Sequence, residues 1–117
     1  KITVEKINHI VQKIGIYDFG TKFTNGFLTK IQDGNSQLSY SNKKIILLLR
    51  ALATDNKIII LEDPYDGLSK EIKEKMIAFL QELAKEKTII VVTQDDDFIQ
   101  KAHQHFHMIN GLLETKK

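Results

Sequence analysis

Cysteine and tryptophan are absent from this 117-residue chain, and its only proline is Pro64. Without cysteine there are no disulfides and no cysteine-ligated metals, which fits a cytosolic location. No apolar run approaches the roughly 18–20 residues of a membrane span. The longest runs only from Ile45 to Leu49, and no signal-peptide pattern is present. A dominant charge is missing as well: 17 basic residues face 15 acidic ones, for a net charge of +2. The lysines are scattered, with no basic cluster interleaved with aromatics, so nucleic acid is not an expected partner. The remainder, 42% hydrophobic and 27% charged, is the composition of an ordinary soluble globular chain. Its length allows one domain at most, burying roughly 65% of the unfolded surface. A first residue of lysine rather than methionine is read as a sign of processing or of excision from something longer.

What is present is a patterned alternation of helix and strand. Val4, Ile7, Val11 and Ile14 fall on one helix face, with Thr3 as the expected cap. Residues 15–37, rich in Gly, Asn, Asp and Thr, read as irregular connection with one short strand. A second helix is expected from Ser39–Asn42 through Ala53. Its run Ile45–Leu49 is apolar almost all round, which implies burial on most sides. Ile58-Ile59-Ile60-Leu61 and Thr88-Ile89-Ile90-Val91-Val92-Thr93 both read as fully buried strands. Between them Ile72, Met76, Phe79, Leu80 and Leu83 form the core stripe of an amphipathic helix. A short helix is expected from Asp96 to Ala102, and Asn110-Gly111 between apolar runs signals a hairpin. This order predicts an α/β fold, mainly a parallel sheet with flanking helices and a C-terminal hairpin.

The most informative stretch is the end of the first strand, where Ile58–Leu61 runs directly into Glu62, Asp63 and Pro64. Open α/β sheets bind ligands beyond the carboxyl ends of their strands. Two carboxylates there suit a metal-bound polyphosphate and an attacking water. The plainer alternative is a pair of helix-capping or solvated loop charges. Two neighbours argue against it: Asp66-Gly67-Leu68-Ser69 supplies a turn leading into a helix, and the second strand ends in Thr93-Gln94-Asp95.

Taken together these segments resemble the C-terminal half of an ABC-transporter ATP-binding domain of the exporter type, part of a P-loop NTPase fold. Leu38-Ser39-Tyr40-Ser41-Asn42 falls where that family has L-S-G-G-Q, and Arg50-Ala51-Leu52-Ala53 is similar to its A-R-A-L segment. Ile58 to Pro64 falls on the Walker B strand, Asp66 to Ser69 on the D-loop, Gln94 on the switch histidine, and Asn110-Gly111 on the following hairpin. Gly26-Phe27-Leu28-Thr29 and Ile31-Gln32-Asp33 resemble the segments preceding the signature. The resemblance divides the chain into a signature and helical region, 1–54, and a Walker B, D-loop and switch region, 55–117.

The same resemblance implies site roles. Glu62 and Asp63 would serve Mg²⁺ and the attacking water, with Glu62 on the metal. Ser39, with Ser41, Asn42 and Asp66, would contact nucleotide, Ser39 reaching the γ-phosphate across a dimer, and Gln94 would sense the γ-phosphate. ATP and Mg²⁺ are implied for an intact parent, and good binding to this chain alone is not expected. The implied partners are a missing N-terminal half of the domain, transmembrane exporter domains and a second nucleotide-binding domain, at the cytoplasmic face of the membrane.

Departures from the family pattern matter as much as the matches. The usual Asp-then-Glu order is inverted at Glu62-Asp63. Losing one methylene retracts the second carboxylate by about 1.5 Å, and a general base typically contributes about 10²–10⁴-fold. Tyr40 stands where a glycine lets backbone approach phosphate, and Gln94 cannot carry the charge of a histidine. The phosphate loop G-x-x-x-x-G-K-[ST] is lacking. In the nearest string, Gly15 to Lys22, the lysine comes one residue late, and a helical pattern precedes it in place of a strand.

Other candidates carry less. His103, His105 and His107 alternate like ligands, but no carboxylate completes the set. Asp95-Asp96-Asp97 is explained by capping and the helix dipole. Three readings follow: an exporter ATP-binding domain fragment; a degenerate, non-catalytic ABC-like domain serving dimerisation or regulation; and an unrelated phosphoacceptor domain using the acidic pair. An unpaired apolar sheet edge would favour self-association.

Overall fold

A computed structural model describes residues 2–17, 19, 39–66 and 68–116. The expected connection over 15–37, the segments at Gly26–Thr29 and Ile31–Asp33, Leu38, Gly67, and Gly20 and Lys22 of the glycine string lie wholly or largely outside the described residues.

Helix α1 spans Val4–Ile14 and begins where the hydroxyl of Thr3 accepts the Lys6 amide at 3.2 Å. It ends at Gly15, whose φ of 81° is the left-handed conformation that stops a helix, so the first glycine of the Gly15–Lys22 string is a helix cap. Helix α2 spans Tyr40–Ala53 and is capped in the same way, the Ser39 hydroxyl accepting the Asn42 amide at 3.1 Å. Strand β1, Ile58–Glu62, leads through a turn to helix α3, Lys70–Leu83, and then to strand β2, Thr88–Val92. Helix α4, Asp96–Lys101, and strands β3, His105–Ile109, and β4, Leu112–Lys116, complete the chain.

The strands β1 and β2 pair in parallel, Ile58 with Thr88 through Glu62 with Val92. Parallel neighbours need a crossover, and α3 supplies it. The hairpin forms a separate antiparallel two-stranded sheet, so among the described residues the parallel sheet has only two strands. Asn110 and Gly111, with φ of 50° and 80°, occupy the left-handed positions of its turn, as an Asn-Gly signal requires.

Helices α1, α2 and α3 cover one face of the parallel pair. Ile10, Val11 and Ile14 meet Ile45, Leu48, Leu49 and Leu52 of α2, Met76, Ile77 and Leu80 of α3, and Ile59 and Leu61 of β1 in a single core. The spacing of the α2 residues is a continuous i, i+3, i+4, i+7 stripe. Leu47 lies off that stripe and is exposed, so α2 is buried on one side rather than on most.

The expectation of fully buried strands is corrected here. Burial alternates along β1: Ile59 and Leu61 are covered, whereas Ile58 and Ile60 are 58% and 66% exposed. On β2, Ile90 and Val92 are likewise exposed and Ile89 and Val91 are half-buried. Successive strand side chains point to opposite faces, and the helical layer covers one of them. Continuous β-branched runs specify strand, but do not specify how many faces are covered within this chain.

Two outcomes are expected. Met76→Ala, at a side chain with no exposure, should lower stability by about 2–5 kcal/mol, read from the urea midpoint. The open apolar face should drive concentration-dependent association in sedimentation, and Ile60→Lys with Val92→Lys should reduce it.

Candidate nucleotide site at the strand tips

Parallel pairing brings the carboxyl ends of β1 and β2 side by side. The Asp63 amide donates to the Val92 carbonyl at 2.9 Å, continuing the ladder past Glu62. At that point the chain turns sharply: Asp63 has a φ of 44°, a left-handed conformation that aspartate tolerates better than most residues. Pro64 is buried behind it, and the Asp66 amide closes the turn on the Asp63 carbonyl at 3.2 Å. Leu68 packs against the core from the far side of this turn, and the Ser69 hydroxyl then caps α3 by accepting the Ile72 amide.

Glu62 projects from the exposed face, while Asp63 is half-buried and accepts a long 3.4 Å hydrogen bond from the Tyr65 hydroxyl. On the neighbouring tip, Gln94 is exposed in the loop between β2 and α4. Glu62, Asp63, Tyr65, Thr93 and Gln94 line one part of a long open cleft of about 1620 Å³ that also runs along β2 and reaches His105–Met108 of β3. The three residues assigned catalytic roles from sequence are thus brought together. Carboxylate oxygens on a hard, exposed tip are a donor set suited to Mg²⁺.

The α2 terminus contributes to neither this cleft nor its wall. Ser39 is exposed, and its hydroxyl is already engaged in capping. Tyr40 is 70% exposed at the first position of α2. Ser41 follows within the helix, and Asn42 is half-buried with its amide on Ser39. Asp66 belongs to the turn and lies 3.9 Å from the Lys44 ammonium, linking α2 to the strand tip.

Sequence reasoning overlooked Lys73. Its ammonium lies 2.9 Å from Asp95 and 2.8 Å from Asp97 and holds the start of α4 against α3. The signal was present as Lys70, Lys73 and Lys75 in the first turns of α3 and three consecutive aspartates, but nothing in the spacing indicated which of them meet. Asp95 also caps α4, its carboxylate accepting the amides of Asp97 and Phe98, so the capping expectation holds. The Lys73 ammonium, with those amides, lowers the Asp95 pKa, and the two aspartates raise that of Lys73. His105 and His107 lie with ring centroids 6.5 Å apart, and among the described residues no group of metal-ligating side chains forms.

No protein-family model matches the chain. It is 30% identical over 115 residues to human ATP-binding cassette sub-family B member 5, covering 98% of this chain and 9% of that protein. It is also 30% identical over 107 residues to the ATP-dependent lipid A-core flippase of Vibrio parahaemolyticus, covering 92% and 18% respectively. In three dimensions it superposes on a bacterial Atm1-family ABC exporter with ATP bound, with a TM-score of 0.75 at 15% identity, over 94% of this chain and 19% of that one. The chain matches the C-terminal half of an ABC-exporter ATP-binding domain in sequence and in fold. It spans only a small fraction of these relatives' own lengths. Among the described residues no helix is long and apolar enough to cross a membrane. The phosphoacceptor reading gains no support from any of these likenesses.

One pH dependence follows from the Lys73–Asp95 pair. A carboxylate with a lowered pKa stabilises the folded state above its unfolded value and loses that contribution as the pH falls through the folded one. The Asp95 contribution should therefore be complete above the ordinary aspartate value of 3.8 and decline below it. Lys73→Met should flatten this decline in acid unfolding followed by circular dichroism, and an unchanged acid profile would contradict the assignment.

Proposed function

We propose that this chain supplies the back half of a composite ATP site in an ABC exporter. In this reading residues 1–54 provide the signature helix, and residues 55–117 provide the Walker B strand, D-loop and switch loop. The observation that carries it is the shared cleft of Glu62, Asp63 and Gln94 at adjacent parallel strand tips, within a fold of the ABC-exporter kind. Mg²⁺ bound with ATP would neutralise phosphate charge there. Glu62, exposed at the end of β1, would hold the metal. Asp63 would orient a water, and Gln94 would donate a hydrogen bond to a terminal phosphate oxygen. Ser39 and the start of α2 are not among the residues lining this cleft, which suits a role toward the nucleotide of a second copy of the domain. The exporter's membrane domains, a second ATP-binding domain and the remaining half-domain are the partners of this reading, at the cytoplasmic face of a membrane.

A second reading, a non-catalytic ABC-like domain retained for dimerisation or regulation, is favoured by particular features. Asp63 is the shorter carboxylate, sits in a left-handed turn and is engaged by Tyr65. Tyr40 presents a bulky ring where phosphate would need to meet backbone.

The two readings separate in a longer protein carrying this chain with its own phosphate loop. Combining Tyr40→Gly with Glu62→Asp and Asp63→Glu should raise turnover by about 10²-fold or more if the native site is disabled. Turnover already substantial in the native protein, and unimproved by the repair, would support the catalytic reading.

A further inference from the structure

Lys73 sits on α3 away from the core stripe, yet its side chain is only 18% exposed. Its ammonium contacts Asp95 and Asp97 and lies 5.9 Å from the centroid of the Tyr65 ring, within reach of a cation–π contact. The Asp95 side chain is 15% exposed and has both oxygens committed, Oδ2 to Lys73 and Oδ1 to the amides of Asp97 and Phe98. Tyr65 in turn packs its ring on Phe98 at 5.9 Å between centroids and donates its hydroxyl to Asp63. These contacts form an unbroken physical line. It runs from the Asp63 turn through Tyr65 to Lys73, and from Lys73 to Asp95, the residue directly after Gln94.

We infer that Lys73 and Tyr65 are positioning residues that lock the Asp63 turn and the Gln94 loop into one unit. Each acts through another residue, Tyr65 through Asp63 and Lys73 through Asp95. The backbone ladder already joins the tips at Asp63 and Val92, but it ends there, and Gln94 lies two residues beyond it. Thr93 restrains the loop from within, its hydroxyl accepting the Asp95 amide at 2.9 Å. The tie from the loop to α3 comes from Lys73, whose paired, hydrogen-bonded charges are stronger and more directional than neutral contacts. Charge at Lys73 and ring position at Tyr65 therefore set the relation between the water-side carboxylate and the phosphate-side amide. The functional meaning of this coupling rests on the nucleotide-site reading; the coupling itself does not.

The test uses the nucleotide-free 117-residue chain, isotope-labelled, with amide chemical shifts and hydrogen exchange read by NMR. Lys73→Met should displace the resonances of Thr93 to Phe98 and those of Asp63 and Asp66 together, and accelerate exchange at Asp97 and Phe98 about tenfold. Lys73→Arg, which keeps the charge, should restore both regions. Tyr65→Leu removes ring and hydroxyl without touching an ion pair, so it keeps the test open if Lys73→Met does not fold; it should also move Asp63 and Asp95 together. Displacements confined to residues 93–98 in Lys73→Met, or to residues 63–66 in Tyr65→Leu, would overturn the inference. Adding Mg-ATP in a separate titration, to the longer protein with its phosphate loop, reports on the nucleotide reading alone. Coupled tips without a nucleotide response would leave this inference standing while that reading fell.

Discussion

The hydrogen bond from the Asp63 amide to the Val92 carbonyl closes the parallel ladder between β1 and β2, and the geometry of the strand tips depends on that ladder. Parallel pairing in fixed register places Glu62 beside Val92, so the carboxylates of one strand and the glutamine loop of the next emerge together. The helical layer enforces the register, because a one-residue slip would exchange the buried set for the exposed one. Ile59 and Leu61 would lose the core formed by α1, α2 and α3, and Ile58 and Ile60 would be forced into it. Core packing on one side thus fixes chemistry at the end of the sheet.

The turn after β1 converts that register into a site. Buried Pro64 anchors the chain, Asp63 takes up the left-handed conformation, and Leu68 and the Ser69 cap return the backbone to α3. Two lysines then secure the surroundings. Lys44 approaches Asp66 from α2, and Lys73 joins α3 to the start of α4. The strand tips are therefore held by elements distant in sequence, which is how a small domain can keep polar groups aligned on an exposed rim.

Much of this was legible in the residues. Helix α1 begins at its Thr3 cap and ends at Ile14 as its spacing predicts, and Asn110-Gly111 forms the expected turn. Both are local signals, fixed by capping and backbone sterics. The placement of Glu62, Asp63 and Gln94 was also readable, since strand ends follow from strand limits. The open face of the parallel pair was not, because an apolar strand does not record which neighbours lie within its own chain. Nor was the Lys73 clamp, since Lys73 and Asp95 are brought together only by the β1–α3–β2 crossover. Leu47 shows the same limit in a helix, where an apolar residue on the wrong side of the stripe remains exposed.

The central claim is that the acidic tip forms one side of a shared nucleotide site and needs a phosphate loop that this chain does not itself provide. Calorimetry of Mg-ATP binding to the 117-residue chain, with phosphate release followed in parallel, tests it most directly. The account predicts no measurable binding and no turnover. Tight binding with hydrolysis would mean that these residues build a phosphate site by themselves, and the composite-site account would be wrong.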